Sequence, residues 1–472
     1  MANPIVRCLA GSALTLSAAV ALAAGDPVDQ AIADVMNRAV KPGEPGCTAG
    51  VLERGVLAHT GAFGMADIAR GKPLDSLAVF NLASVSKQFT AFALLLLEQQ
   101  GKLKLDDPVV KYLPELSGSA QGVTLAHLVH HTGGLRDYIE MIYMKGRGDA
   151  DGTTIDETVR LLARQTAPNE KPGVEFDYSN TGYFLLGVVV ARVSGQSLAE
   201  FSRRQIFEPL GMKNTSIVDR YPAPIPSLAR GYATKGSGFR IDETGWEQVG
   251  DGQVHSNVHD LALWDENFYT GKVGGRELVA RMYDVGRLNS GKSTDYAAGL
   301  NVYKSRGFTW VTHGGSWVGY RSSIVRVPDE HLSVIVLCNR AEAEAGGYAA
   351  EIARTLLGGK LGPPEKDPEA DEPEPQPVKS EWDPGDLARY AGAYYSEEAD
   401  VRCVLDQRGT RLVFEGCAQG EVLQPGKPGE FVVDGGTPVL RFAPGGPVAD
   451  SFVYWSPGLR GLPFKKIKES FE

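Results

Sequence analysis

Positive charge is in short supply along this 472-residue chain: 48 lysines and arginines stand against 58 aspartates and glutamates, a formal net charge of -10. No basic patch is present to neutralise a phosphate backbone, so a nucleic-acid partner is not expected. The cluster Lys465 to Lys468 lies at the end of the sequence and reads as a solvated face. Cysteine is scarce as well, five residues in all and none at zinc-site spacing. No metal, nucleotide or organic cofactor is implied. Past residue 23 no apolar run approaches the roughly 20 residues that cross a bilayer, so no transmembrane segment is expected. Internal repeats are lacking too.

The apolar run that does exist is at the front. Arg7 precedes Leu9 to Ala23, and Ala21, Leu22 and Ala23 form the small-any-small pattern of a signal-peptidase site. The abrupt Gly25, Asp26 and Pro27 speak against a buried first helix. A signal peptide over 1–23 and a periplasmic or secreted mature protein are the expectation. Cys8 would leave with that leader, and Cys47, Cys338, Cys403 and Cys417 would remain where disulfides are permitted but not demanded. Cys403 and Cys417 flank two strand-like runs around Arg408, Gly409 and Thr410; a bridge across that hairpin and a pair of free buried thiols both fit.

The length exceeds what one hydrophobic core usually organises, which predicts two or three domains. A main domain over 24–360 begins with an alternating hairpin at Val51 to Gly64 and has helical runs at Thr124 to His130, Ile155 to Ala163, Phe184 to Val193 and Gly346 to Leu357. Strands are expected at Phe308 to His313, Tyr320 to Val327 and Leu332 to Cys338, the last too apolar for a sheet edge. Helices on both sides of an antiparallel sheet are implied. The segment 361–380, LGPPEKDPEADEPEPQPVKS, reads as an exposed acidic, proline-rich linker. Residues 381–472 carry short alternating runs between glycine and proline turns and predict a small all-β domain, barrel or sandwich.

Three short motifs carry chemistry. In FNLASVSKQFT, Ser84 and Lys87 stand three residues apart where an apolar helix begins, which places hydroxyl and amine on one face. A serine hydroxyl needs a neighbouring base to become a nucleophile, and such an amine can supply it. The run Phe89 to Leu97 is apolar on nearly every face, so this helix passes through a core and sets its first residues at the bottom of a cleft. Second, Tyr178 and Asn180 in YSN precede another apolar helix; a phenolate near an ammonium is a competent base, and an asparagine amide can hold a substrate carbonyl. Third, HGGSWVGYRS brings His313, Gly315, Ser316 and Arg321 to a strand end, where glycine admits close backbone approach and an amide can complete an oxyanion hole. Each motif alone has a structural reading, as a solvated lysine, a buried tyrosine or a tight hairpin.

In this order and spacing, SVSK, YSN and HGG resemble the three motifs of the serine β-lactamase and penicillin-binding family, in its class C, D-alanyl-D-alanine carboxypeptidase and esterase branch. LVHHTGGL, IFEPLGMKNT, ARGY and GQVHSNVHDLALW add to the resemblance, which spans roughly Ala31 to Leu357. It implies an α+β fold with a five-stranded antiparallel sheet flanked by helices and a helical subdomain, and a small β domain appended as in some relatives. It implies Ser84 as acylated nucleophile, Lys87 as its activator, Tyr178 as proton shuttle, Asn180 on the substrate amide, and the amides of Ser84 and Ser316 as oxyanion hole. It further implies a Cys47 to Cys338 disulfide, since first and last strands of the sheet are neighbours in that family. His313 departs from penicillin-binding relatives, many of which carry lysine there. With an ordinary pKa near 6.5, it would make recognition of a substrate carboxylate weak and pH-dependent, with Arg321 as the candidate replacement charge. The function implied is a serine hydrolase acting through an acyl-enzyme on esters or on D-amino acid amides and peptides, peptidoglycan fragments among them. The alternative is a non-catalytic sensor or scaffold whose terminal β domain binds a partner.

Overall fold

The computed structural model describes residues 26–364, 385–417, 419–433, 436–443 and 449–468. The leader read over 1–23 and most of the 361–380 segment lie outside the described residues. Helix α1 (Pro27–Ala39) starts where Asp26 accepts a hydrogen bond from the Val28 amide and proline occupies the first turn, and it buries Val28, Ala31, Ile32, Val35 and Met36 along one stripe. Strands β1 (Cys47–Glu53) and β2 (Val56–Phe63) form the first hairpin. The middle of the chain supplies α2 (Lys87–Gln99), α3 (Tyr138–Met144), α4 (Ile155–Ala163), α5 (Asn180–Ser194) and α6 (Val258–Thr270). Then come β3 (Asn301–Ser305), β4 (Phe308–Trp317), β5 (Tyr320–Val327), β6 (Leu332–Cys338) and α7 (Ala345–Leu357).

The sheet is antiparallel, in the order β3-β4-β5-β6-β1-β2, and has six strands where five were expected. The additional strand is β3, NVYKS, an edge strand that is nowhere fully buried, so its sequence carries little apolar signal. Central β6 is buried at every position. Its Val334 and Val336 pack with α1 and α7 on one face, while Ile335 and Leu337 join the core containing Phe89, Phe92 and Trp264 on the other. Burying each such side chain contributes about 1.5–3 kcal/mol. Cys47 and Cys338 are register partners across β1 and β6 and are joined by a disulfide.

The C-terminal unit is a closed barrel of eight antiparallel strands, its first, Gly392–Ser396, pairing with its last, Leu462–Lys466. Tyr394, Phe414, Phe431, Leu440, Phe452 and Phe464 are among its fully buried residues, as expected of an eight-stranded barrel just wide enough for its own side chains. A second disulfide, Cys403 to Cys417, joins the strand Val401–Arg408 to the bend just past its hairpin partner, Arg411–Glu415. The barrel docks on the helical subdomain through Glu398, which pairs with buried Arg136 and accepts from the Thr166 hydroxyl at 2.7 Å. Among the described residues, no single helix is long and apolar enough to cross a membrane.

Candidate active site

Ser84 does not sit on the helix itself. It lies in a 3-10 turn, Ala83–Ser86, and α2 begins at Lys87. The turn is tight because Ala83 adopts φ 47°, a left-handed conformation that costs a non-glycine residue of order 1–3 kcal/mol. Neighbouring bonds hold it. The Ala83 amide donates to Asn81 Oδ1 at 2.8 Å, and Asn81 Nδ2 donates to Gln253 Oε1 at 2.9 Å. The Leu82 amide donates to the Val254 carbonyl at 2.8 Å, and Ser86 Oγ accepts from the Val254 amide at 3.0 Å. The turn bearing the serine is thereby stapled to the segment that precedes α6.

Lys87 is fully buried, and its Nζ contacts three oxygens: Ser84 Oγ at 3.1 Å, Asn180 Oδ1 at 2.9 Å and the Asp251 carbonyl at 3.0 Å. A proton can pass directly between Ser84 and Lys87. Asn180 reaches the pair because Ser179 caps α5, its Oγ accepting from the Gly182 amide, which sets Asn180 on the first turn. Tyr178, just before that cap, lays its ring over the amine, with Nζ 4.9 Å from the ring centroid. Behind it, the His131 ring packs at 4.2 Å, inclined by 34°, and His131 Nδ1 accepts from the Ser179 amide at 3.0 Å.

These residues open on a cleft of about 830 Å³ lined by Ser84, Tyr178, Asn180, His313, Gly315, Ser316 and Arg321. All the motif residues named from the sequence therefore meet at one cleft, Lys87 beneath its floor. HGG belongs to the body of β4, which runs on to Trp317 and does not end at His313. Gly315 is where this strand crosses the serine turn: a Cβ there would come within 2.3 Å of the Leu82 carbonyl oxygen and of Ser322 Oγ, and 3.1 Å of the Ala83 Cβ. Only glycine lets the two backbones approach so closely.

The electrostatics differ from the reading of His313 as a group titrating near 6.5. Burial, and next the charge of Lys87, push its pKa down to about 4. Its Nδ1 donates to the Gly314 carbonyl at 2.6 Å, so Nε2 is the acceptor and takes the Tyr296 hydroxyl at 2.9 Å. Both ring nitrogens are engaged, and the ring is neutral at pH 7. Arg321 lines the cleft but turns Nη1 onto the carbonyls of Val318 and Tyr320, and burial lowers its pKa. Asp251, held by the Tyr138 hydroxyl at 2.8 Å, has its carboxyl pKa raised by burial, against the opposing pull of Lys87. Tyr138, Tyr296, His131 and Asp251 were not singled out from the sequence. His131 stands inside LVHHTGGL and Asp251 directly before GQVHSN, so those runs held a signal, but not one that gave either residue a task.

A serine hydrogen-bonded to a buried lysine, at a cleft between an antiparallel sheet and a helical subdomain, defines a serine hydrolase of the transpeptidase-like fold. The chain belongs to the β-lactamase family, whose model, described as Beta-lactamase, matches residues 28–357. It is 30% identical over 424 residues to penicillin-binding protein 4* of Bacillus subtilis (strain 168), covering 86% of this chain and 92% of that protein. It is 27% identical over 319 residues to the D-aminopeptidase of Cereibacter sphaeroides (strain ATCC 17023), which spans 67% of this chain and 60% of that longer protein. In structure it is similar to the octameric penicillin-binding protein homologue from Pyrococcus abyssi, with a TM-score of 0.61, 22% identity, and coverage of 93% of this chain and 99% of the other. That likeness takes in the barrel as well as the catalytic fold.

Proposed function

We propose that the protein hydrolyses amides or esters of small D-amino acids and short D-amino acid peptides through an acyl-enzyme on Ser84. Lys87, acting in its free-amine form, takes the Ser84 proton, the hydroxyl oxygen attacks the carbonyl carbon, and the oxyanion settles on the amides of Ser84 and Ser316. Tyr178 and Lys87 return the proton to the leaving group, and water then releases the acid. Asn180 orients the substrate amide. His313 is a neutral member of the wall, bracing β4 through Tyr296.

The observation that carries the reading is the bond from Lys87 Nζ to Ser84 Oγ and to Asn180 Oδ1, which joins nucleophile, base and amide ligand in one network. The choice of amide or ester over a peptide with a free terminal carboxylate is supported by the charges at the cleft. His313 is neutral, Arg321 is turned onto backbone carbonyls, and two acids, Asp251 and Glu344, share the lining. One side of the cleft is aromatic, with Trp246 packed between Tyr143 at 5.5 Å and Trp317 at 5.2 Å, which favours an apolar substrate side chain. Export to an oxidising compartment is part of the proposal and is supported by the leader read over 1–23 and by the two disulfides.

Intact-mass measurement of wild type and Ser84→Ala, each with a fluorophosphonate, a penicillin, D-phenylalanine amide and a D-alanyl-D-alanine peptide, tests this. A Ser84-dependent adduct with fluorophosphonate, together with turnover of the amide and little of the free-carboxylate peptide, is expected. Normal turnover by Ser84→Ala removes the nucleophile assignment. Preference for the free-carboxylate peptide overturns the substrate class, and a stable adduct without product supports the sensor alternative.

A further inference from the structure

Among its described residues the barrel contributes none to the lining of the cleft, yet one of its loops bonds to two segments on the helical side, around Asp137 and around Asp177. Between the strands Ser451–Trp455 and Leu462–Lys466, Gly458 takes a hydrogen bond on its carbonyl from the Asp137 amide at 2.8 Å, and its own amide donates to Glu140 Oε1 at 3.1 Å. A Cβ on Gly458 would stand 2.4 Å from Glu140 Oε1 and 3.0 Å from the Asp137 Cβ, so the loop is seated without spare room. Asp137 and Glu140 flank Tyr138, which lines the cleft and donates to Asp251. Two residues on, Arg460 pairs with Glu175, and its Nη2 lies 3.5 Å from Asp177 Oδ2. These are the acids immediately before Tyr178. The Arg460 amide donates to Asn169 Oδ1 at 2.7 Å, and its carbonyl accepts from Arg136 Nε at 3.2 Å, which anchors the guanidinium's own backbone to the main domain.

We infer that Arg460 is a positioning residue for Tyr178, so that the terminal barrel is a working part of the active site. This rests on the assignment of Tyr178 under the proposed function. Tyr178 is 40% exposed and lies in a segment outside any helix or strand, so burial alone does not set its ring. From inside, the Asp177 amide donates to the His131 carbonyl at 2.8 Å and the inclined His131 ring packs against Tyr178. From outside, Arg460 is the charge that fixes Glu175 and Asp177. These pairs are half-buried and each contributes about 1 kcal/mol or less to overall stability. Their loss is therefore felt more in the placement of the tyrosine than in melting.

The test is a cycle of full-length wild type, Arg460→Ala, Tyr178→Phe and the double variant. kcat and KM are measured on the amide or ester that wild type turns over, with melting temperatures alongside. Arg460→Ala is expected to lower kcat roughly tenfold to a hundredfold with KM and melting nearly unchanged, as for a group displaced by about an ångström. Added to Tyr178→Phe, it is expected to have almost no further effect, and Arg460→Lys to recover part of the rate. Lys145→Ala, which breaks a docking contact to Asp400 remote from the tyrosine, should leave kcat alone. Wild-type kcat in Arg460→Ala, or an equal loss in both backgrounds, overturns the inference while leaving Tyr178 in place. Wild-type kcat in Tyr178→Phe overturns the role of the tyrosine and that of Arg460 with it.

Discussion

The Tyr296 hydroxyl meets Nε2 of His313 across 2.9 Å, and the partner of the other ring nitrogen decides that the hydroxyl is the donor. A carbonyl can only accept, so the bond to Gly314 places hydrogen on Nδ1. With the pKa depressed to about 4, chiefly by burial, His313 carries no charge anywhere in the range where such enzymes are assayed. The kcat/KM profile between pH 5.5 and 7.5 is therefore expected to have the same shape in wild type and His313→Asn, whatever the drop in its height. A step near pH 6.5 present in wild type and gone from His313→Asn would restore the titrating role read from the sequence.

The two glycines after His313 should behave differently although they are adjacent. Gly315→Ala drives a Cβ into the Leu82 carbonyl, which already accepts the Ser322 hydroxyl at 2.6 Å, and pushes β4 off the serine turn. A displacement of this kind costs on the order of a hundredfold in rate. At Gly314 the nearest atom to an added Cβ is the Ser322 carbonyl oxygen at 3.9 Å, ordinary van der Waals contact. Gly314→Ala is expected to stay within about threefold of wild type. Comparable kcat/KM for the two variants would show that the close approach at Gly315 has no catalytic consequence.

How much of this was legible in the sequence depends on whether the signal was local. The helical run expected at Ile155–Ala163 matches the helix to the residue; its apolar positions recur at helical period, and the structure adds a capping box from Thr154 and Glu157. β6 was read to the residue because only a central strand tolerates LSVIVLC. Strand β3 was missed because edge strands need no apolar face, and the start of α2 was misplaced because the left-handed turn at Ala83 leaves no trace in an alanine. Ser84, Lys87, Tyr178 and Asn180 were found through motif order; nothing in their neighbourhoods said that Lys87 would meet the Asp251 carbonyl, 164 residues on. Contacts of that range are set by the fold and are silent in any window.

The disulfides should differ in what they contribute. Cys47 and Cys338 are 291 residues apart, so their bond constrains most of the unfolded main domain, whereas Cys403 and Cys417 close a loop with a separation of 14. Loop-closure entropy grows with length, and loss of a native bridge typically costs about 2–5 kcal/mol. Urea unfolding of the double alanine variants is expected to show the larger loss of stability for Cys47→Ala/Cys338→Ala. An equal or larger loss at the short loop would assign the stabilisation to native-state packing.

Asp137 and the buried histidines give opposing pH dependences across one window. Burial, and next the charge of Glu140, raise the Asp137 carboxyl from 3.8 to about 6, so the folded state holds a proton there that the unfolded chain has given up. The stability this contributes is complete below pH 3.8 and is lost as pH rises through about 6. His313 and His255, both lowered to about 4, act the other way: their contribution is complete above 6.5 and is lost as pH falls toward 4. In wild type the two slopes offset each other. Asp137→Asn keeps an oxygen to accept from the Ile139 and Glu140 amides at the start of α3, gives up the acceptor facing the Asn180 amide at 3.3 Å, a loss common to both pH values, and removes the ionisation. Its stability relative to wild type should therefore grow by about 1–3 kcal/mol from pH 4 to pH 7, exposing the histidine slope. Denaturant midpoints at the two pH values decide it. A difference that stays constant or shrinks as pH rises would mean that Asp137 is ionised throughout and that its bonds from the helix amides outweigh its burial.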